Sequence, residues 1–467
     1  MTRAAALALV LAACTPDPVS RDMPPETGPI GQLPTCAAAW RDLPPADLDR
    51  AGCRKPWLVL VYMAADTADL PKYARGDMDE LAGALARPGA DLELDVIVQL
   101  DVDAPPGVTR HSLVPPRGRL DGLPEPAGPP AEALDRFLEW GLARFPADRV
   151  AVVLWGHGQG WRPAGVTGPV HYSESGQLGG FGFDDDPGAV IDVPALADAL
   201  AGAAARRERR QLDLLVVDAC LMQSVEVTAA LADTARYIVG HEQIDPYGGF
   251  PYDQVVARVL DPPRAPACPA ADAACRIAAG LPDLLFAPSS LAGDGFAASA
   301  VDTAPLARVL VPALERLGAA LSAYLAEDPL RGSDLLARMA SHLPGEALPG
   351  FLGNTVDLGV LFARLEADAR RELERGPTAA TNTLLSALAE ARDALAATVL
   401  DVAAGPAFTD DEAYAGTPGP AGLSVWLPRD PTSYHDRRAA FTSSPLHDPP
   451  GPDLWLEWLD RLYAAPN

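Results

Sequence analysis

Cys220 and His157 are the two residues whose chemistry and placement suggest joint work. Cys220 lies in LLVVDACLMQSVEV (214–227), where an apolar run ends and a helical pattern begins. His157 lies in WGHGQGW (155–161), at the end of another apolar run, RVAVVLW (149–155). A thiol at a helix start faces the positive end of the macrodipole and unpaired backbone N–H groups, which lower its pKa and make it nucleophilic. An imidazole between two glycines is unobstructed, and near pH 7 it can protonate a leaving amine. The pair predicts covalent catalysis by cysteine rather than a core thiol and a structural histidine. The histidine block lacks the GxGxxG spacing of a dinucleotide site, and there is no G-x-S-x-G elbow, C-x₂-C pair or H-E-x-x-H.

The remaining cysteines isolate Cys220. The chain has six: Cys14, Cys36, Cys53, Cys220, Cys268 and Cys275. Arg3 and the apolar run AAALALVLAA before Cys14 form a short export signal. LAAC (11–14) resembles the lipobox of bacterial lipoproteins, which implies lipidation of Cys14 and a membrane anchor in the cell envelope, with Thr15 fitting outer-membrane sorting by analogy. In such an oxidising compartment Cys36 with Cys53, and Cys268 with Cys275, are candidate disulfides, and Cys220 is left without a partner. No later stretch reads as the ~18 apolar residues of a transmembrane helix. A net charge of −26 argues against a nucleic-acid partner, which needs clustered Lys and Arg.

The elements needed to position these residues are apolar strands alternating with helices: WLVLVYMA (57–64), ELDVIVQL (93–100), RVAVVLW (149–155), LDLLVV (212–217) and RYIVG (236–240). Helical patterns lie near 78–86, 131–145, 193–207 and 224–235. Continuous apolar strands in this alternation predict an α/β/α sandwich with a largely parallel sheet, whose functional groups collect beyond the carboxyl ends of the strands. The expected organisation is a signal (1–13), a lipidated Pro-rich tether (14–55), a catalytic domain (56–260), a Pro/Cys-rich insert (261–294) and an α+β region packed on the catalytic domain (295–467).

The two blocks together resemble the clostripain family of cysteine peptidases, relatives of the caspase and gingipain group. The resemblance runs discontinuously from about Trp57 to Pro428, through LVYMAAD (60–66), VQLD (98–101), WGHGQGW, FDDDP (183–187), DACLMQSVEV (218–227), YIVGHEQIDPYGGFPY (237–252) and GLSVWLP (422–428). It implies a caspase-like fold and hydrolysis of protein or peptide substrates after a basic P1 residue, the one before the scissile bond. Carried onto this chain, Cys220 is the nucleophile, His157 protonates the leaving group, and the N–H groups of Cys220 and Gly158 form the oxyanion hole. Asp218 matches the acidic position of the P1 pocket, where a helix N-cap is its bland alternative. Glu242 and Asp245 stand where the family binds substrate. No cofactor is implied, with one option: Asp184, Asp185 and Asp186 could hold Ca²⁺ or form a solvated acidic turn.

Two departures stand out. The family often cuts itself at a basic residue between the two blocks, but here Arg162 is followed by no Lys or Arg until Arg206. His241 stands where relatives more often carry a small residue, which would reshape the substrate groove. The competing expectation is an inactive lipoprotein on the same scaffold that binds a peptide or protein partner.

Overall fold

The computed structural model describes residues 33–36, 52–102, 107–114, 118–122, 130–161, 180–184, 189–207, 211–246, 248–286, 296–328, 331–332, 334–335, 355–405, 419–428, 431–442 and 454–464. Its strands are β1 (Lys55–Ala64), β2 (Leu94–Asp101), β3 (Thr109–Ser112), β4 (Gly118–Gly122), β5 (Ala147–Gly156), β6 (Phe181–Asp184), β7 (Ala189–Ile191), β8 (Leu214–Asp218), β9 (Tyr237–Gly240), β10 (Ala297–Asp302), β11 (Thr355–Asp357), β12 (Val399–Ala404) and β13 (Ser424–Trp426). The principal helices are α1 (Pro71–Ala84), α2 (Pro130–Arg144), α3 (Val193–Ala205), α4 (Val225–Ala230), α5 (Tyr252–Leu260), α6 (Ala273–Ala279), α7 (Val311–Ala326), α8 (Leu358–Arg375), α9 (Ala379–Thr398), α10 (Pro431–Thr442) and α11 (Leu454–Tyr463).

Nine strands form one sheet in the order β12-β10-β9-β8-β5-β1-β2-β3-β4. Its centre, β9-β8-β5-β1-β2, is parallel throughout. The apolar runs explain this. Successive side chains of a strand point to opposite faces, so a run without polar residues needs cover on both. In β1, Leu58, Leu60 and Tyr62 enter one core with Leu134 and Phe137 of α2 and Leu196 and Leu200 of α3. Trp57, Val59, Val61 and Met63 enter the other, with Leu81 of α1, Val255 and Val256 of α5 and Ile277 of α6. Full burial of such a side chain contributes about 1.5–3 kcal/mol each.

The structure differs from the sequence expectation in four places. The Pro/Gly-rich stretch after β2 contains the hairpin β3–β4, which extends the sheet on its β2 edge. The Pro/Cys-rich insert is ordered over 261–286, where Cys268 is bonded to Cys275 and α6 packs into the core. That bond was expected, as was the other disulfide, which joins Cys36 to Cys53. The region from 295 onward does more than pack on the catalytic layer. Its β10 and β12 are hydrogen-bonded into the same sheet, β10 antiparallel to β9 and β12 antiparallel to β10. Finally, the helical run Thr303–Ala326 has the length and mean hydropathy, 1.4, of a membrane span. Its Leu317, Leu321 and Tyr324 are buried in the core, where α7 packs on α9 and α11.

Candidate active site

Parallel strands deliver their next residues to one edge of the sheet. Trp155 of β5 pairs with Asp218 of β8, so His157 and Cys220 each stand two residues past the same rung. Ala64 of β1 pairs with Gly156, which brings the turn after β1 alongside. The residues after β9 complete the edge. A cleft of about 230 Å³ opens there, lined by His157, Cys220, Asp218, Asp245, Trp155 and Gly249 among others. A larger groove of about 620 Å³ lies between α8 and α9, lined by Phe362, Glu366, Arg370 and Leu395, and it carries no nucleophile.

The glycines around His157 serve close packing as well as access. A Cβ on Gly158 would fall 2.5 Å from the carbonyl oxygen of Cys220, and one on Gly156 would fall 2.8 Å from that of Ala64. Gly156 also has φ 151°, which favours glycine. The close approach of the two blocks at Gly158 therefore requires a residue without a Cβ. Gly158 pairs with Phe181 in an isolated antiparallel bridge whose hydrogen bonds are Gly182 N–H to His157 O and Gln159 N–H to Gly180 O, both 3.0 Å. That makes Gly158 the non-hydrogen-bonded member, with its own N–H directed away from Phe181.

His157 Nε2 lies 3.1 Å from Oδ1 of Asp69, in the turn leading to α1. Asp69 is itself held by the Thr67 hydroxyl at 3.0 Å. Burial pushes Asp69 up, but its hydrogen bond to His157 and the histidine's charge, aided by Thr67, hold it below the usual carboxylate range. An ionised Asp69 accepts from Nε2–H, which leaves the lone pair of a neutral ring on Nδ1. Asp69 was absent from the sequence reading. The signal for it was available, since the strand-end rule that selected His157 and Cys220 applies equally to the residues after β1.

Cys220 is the one cysteine outside a disulfide among the described residues, and it is 7% exposed. The helix expected to begin beside it does not. α4 starts at Val225, capped by Ser224, and spans only six residues. The dipole effect is confined to the first turn, so it does not reach Cys220. The thiol is met instead by the N–H of Asp245, 3.2 Å from Sγ. A donor of this kind favours the thiolate. Leu221 follows with φ 62°, the only non-glycine residue in the left-handed region among those described, at a cost of about 1–3 kcal/mol. Its N–H donates to Gln243 O at 2.8 Å, and Gln223 N–H to His241 O at 3.0 Å. The turn after β8 is thus stitched to the turn after β9.

Asp218 is a buried acceptor, not an N-cap. Its Oδ2 accepts from Tyr252 Oη at 2.7 Å and from Phe250 N–H at 3.3 Å, and His241 Nε2 lies 3.3 Å from Oδ1. The same Nε2 is 3.2 Å from Oδ1 of Asp245. Burial, then the charges of Asp218 and Cys220, push Asp245 well above the carboxylate range. Behind them Asp77 accepts from Trp155 Nε1 at 2.7 Å. Burial, then Asp218 and Glu80, raise it to about 8.

Other expected site residues fall elsewhere. Glu242 does not line the cleft; it is 2% exposed and faces Asp357 and the Gly422 backbone. Asp184 ends β6, but its side chain, like Asp185 and Asp186, lies outside the described residues, as do Cys14 and Arg162. Arg206 caps α3 and is paired with Asp135 at 2.7 Å. Asp218, His241 and Asp245 form the one cluster of potential metal ligands among the described residues. It does not fit calcium, which takes six to eight oxygens, because Asp218 is already saturated by protein donors and the third member is an imidazole.

Residues 61–279 match the clostripain family. The fold is similar to that of an inactive zymogen C11 protease from Parabacteroides distasonis, with a TM-score of 0.56 and 17% identity, covering 84% of this chain and 97% of that one. It is also similar to a secreted C11 cysteine protease from Bacteroides thetaiotaomicron, determined with an irreversible peptide inhibitor, with a TM-score of 0.54 and 19% identity over 84% of this chain and 99% of that one. No curated protein sequence matches significantly. Residues 61–279, which hold both the His157 and Cys220 blocks, are clostripain-like in sequence, and the solved C11 proteases share the fold that carries those blocks.

Proposed function

We propose that the chain is an endopeptidase cleaving after Arg, and after Lys, with Cys220 as nucleophile and His157 as its proton partner. The observation that carries this is the convergence of the one cysteine outside a disulfide among the described residues, a histidine oriented by Asp69, and an acidic floor of Asp218 and Asp245 in a single cleft. The Cys220 thiol gives its proton to His157 and the thiolate attacks the scissile carbonyl carbon. The C–N bond breaks as His157 returns that proton to the amine. Water, deprotonated by His157, then releases the acyl group from sulfur. The N–H of Gly158, unused by its strand pair, and that of Cys220 are suited to the oxyanion, worth up to ~3–4 kcal/mol per donor.

Charge balance supports the basic P1. Three carboxyls, Asp77, Asp218 and Asp245, crowd a buried site beside a thiol, and burial and repulsion push Asp245 and Asp77 up. A guanidinium or ammonium entering the cleft would relieve that crowding and let Asp245 ionise. A lipid anchor at Cys14 belongs to the same reading and would hold the enzyme on the envelope, facing extracytoplasmic protein or peptide substrates.

The test is hydrolysis of fluorogenic peptides with Arg, Lys, Ala or Asp at P1, by the wild-type protein and by Cys220→Ala. Cleavage confined to basic P1 and reduced at least about 10³-fold in the variant is expected. Inertness of both proteins, with reductant and calcium present, would overturn the reading in favour of a binding scaffold.

A further inference from the structure

The acidic floor of the cleft holds more acceptors than donors. Asp218 and Asp245 line it, and among the described residues neither is paired with a Lys or Arg. Their one basic neighbour is His241, wholly buried behind them. It offers them a single nitrogen, Nε2, 3.3 Å from Asp218 Oδ1 and 3.2 Å from Asp245 Oδ1. Its Nδ1 lies 3.3 Å from the carbonyl oxygen of Ala297, which can only accept. The Nε2 hydrogen bond goes to Asp218, whose other oxygen takes the Tyr252 hydroxyl and the Phe250 N–H. Asp245 Oδ1 is left buried with no hydrogen-bond partner. The other titratable groups that act on Asp245 are Asp218 and Cys220 from β8 and the turn after it, Asp77 from α1 and Tyr252 from α5, all anionic when ionised. His157 lines the same cleft but is engaged by Asp69. A buried carboxylate without a donor or a counter-charge takes up a proton instead.

We propose that Asp245 is a neutral carboxyl in the free enzyme and that a basic P1 side chain displaces its proton, so that each Arg or Lys captured releases one proton to solvent. The inference rests on the peptidase reading above. The carboxyl O–H bond breaks, the proton passes to water, and the guanidinium or ammonium becomes the partner of the carboxylate, so the net charge of the buried site is unchanged. Burial and the charges of Asp218 and Cys220, which push Asp245 well above the carboxylate range, are consistent with a retained proton. Asp245, with 11% of its side chain exposed, is placed to meet the incoming cation. A neutral P1 side chain leaves the proton where it is and gains no ion pair. Because binding a basic side chain loses a proton, its affinity should rise with pH, by up to about tenfold per unit, until Asp245 is ionised in the free enzyme.

The test is calorimetric. Cys220→Ala, which should bind without cleaving, is titrated with two peptides that differ only at P1, one with Arg and one with citrulline, its uncharged isostere. Titrations at about pH 5, where an ordinary aspartate has already lost its proton, are run in buffers of different ionisation enthalpy. The Arg peptide is expected to release about one proton per site and the citrulline peptide none. With Asp245→Asn added, Arg binding should weaken and the release vanish; with Asp77→Asn added, the release should remain. In active wild type, KM for the Arg peptide should fall by up to about tenfold per unit as pH rises from about 5, while the citrulline peptide inhibits with a constant Ki. A flat KM, no release with Arg, or equal release with both peptides overturns the proposal. So does a release that survives Asp245→Asn and disappears in Asp77→Asn. If wild type cleaves neither Arg nor Lys peptides, the peptidase reading falls and takes this one with it; cleavage confined to basic P1 without proton release sinks this inference alone.

Discussion

His241 and Glu242 are adjacent, both buried, and each serves a different group of carboxyls. His241 faces Asp218 and Asp245. Glu242 faces Asp357, which caps α8 through Val360 N–H at 2.9 Å and accepts from Ala421 N–H at 2.7 Å. Nearby, Glu226 accepts from Trp426 N–H at 2.8 Å. This second cluster ties the turns after β8 and β9 to β11 and β13. One step along the chain, past the end of β9, separates the side chain beside Asp218 and Asp245 from the one beside Asp357. A buried acid close to a nucleophile is thus no guide to substrate contact until its direction is known.

Asp245→Asn is the strongest test of that contrast after loss of the nucleophile itself. Asp245 is the carboxylate at the cleft surface, so kcat/KM for both Arg and Lys peptides should fall about 100-fold or more, carried by KM. The amide retains the backbone donor to Cys220, so labelling of the thiol by iodoacetamide should persist. Equal losses for Ala and Asp peptides would mean that Asp245 supports the nucleophile rather than P1.

Asp357→Ala should do the reverse. Loss of the cap on α8 and of the acceptor for Ala421 leaves buried donors unpaired, at a cost of about 2–3 kcal/mol in urea unfolding. KM for basic peptides should stay within about twofold of wild type. A tenfold change in KM at wild-type stability would erase the distinction between the two clusters.

The layers of the fold were legible because apolar runs such as LVLVYMA and VAVVLW leave few options to a chain that must cover both faces. Cys220 and His157 were legible for a related reason, since each follows such a run and the cysteine count left one thiol over. What the sequence did not carry was direction and distance. Asp69 reaches His157 across a turn; Glu242 looks like a pocket residue until the backbone turns it away. The origin of thiol activation also changed, because Ser224 caps α4 too late for its dipole to act on Cys220. The short strands β3, β4 and β12 and the helices α10 and α11 depend on tertiary packing more than on local pattern.

Asp77 sharpens the comparison from the side of stability. Its carboxyl titrates at about 8 in the folded protein, against about 3.9 for an unfolded aspartate. Between those values the folded state holds a proton that the unfolded chain has released, so stability should decline as pH rises from about 4 to about 8, by up to about 1.4 kcal/mol per unit from this group. Asp77→Asn keeps an oxygen for Trp155 Nε1 and abolishes the titration. From pH 5 to pH 8 the variant should gain on wild type by up to about 4 kcal/mol, in urea unfolding monitored across that range. Asp357, raised by burial to about 6, runs the same way over a narrower window, and Asp357→Asn should flatten only the interval below pH 6. Two windows, each removed by its own variant, would mean that the floor and the fastening carry their charge crowding independently. A single window removed by either variant would mean that His241 and Glu242, one peptide bond apart, couple the clusters they serve.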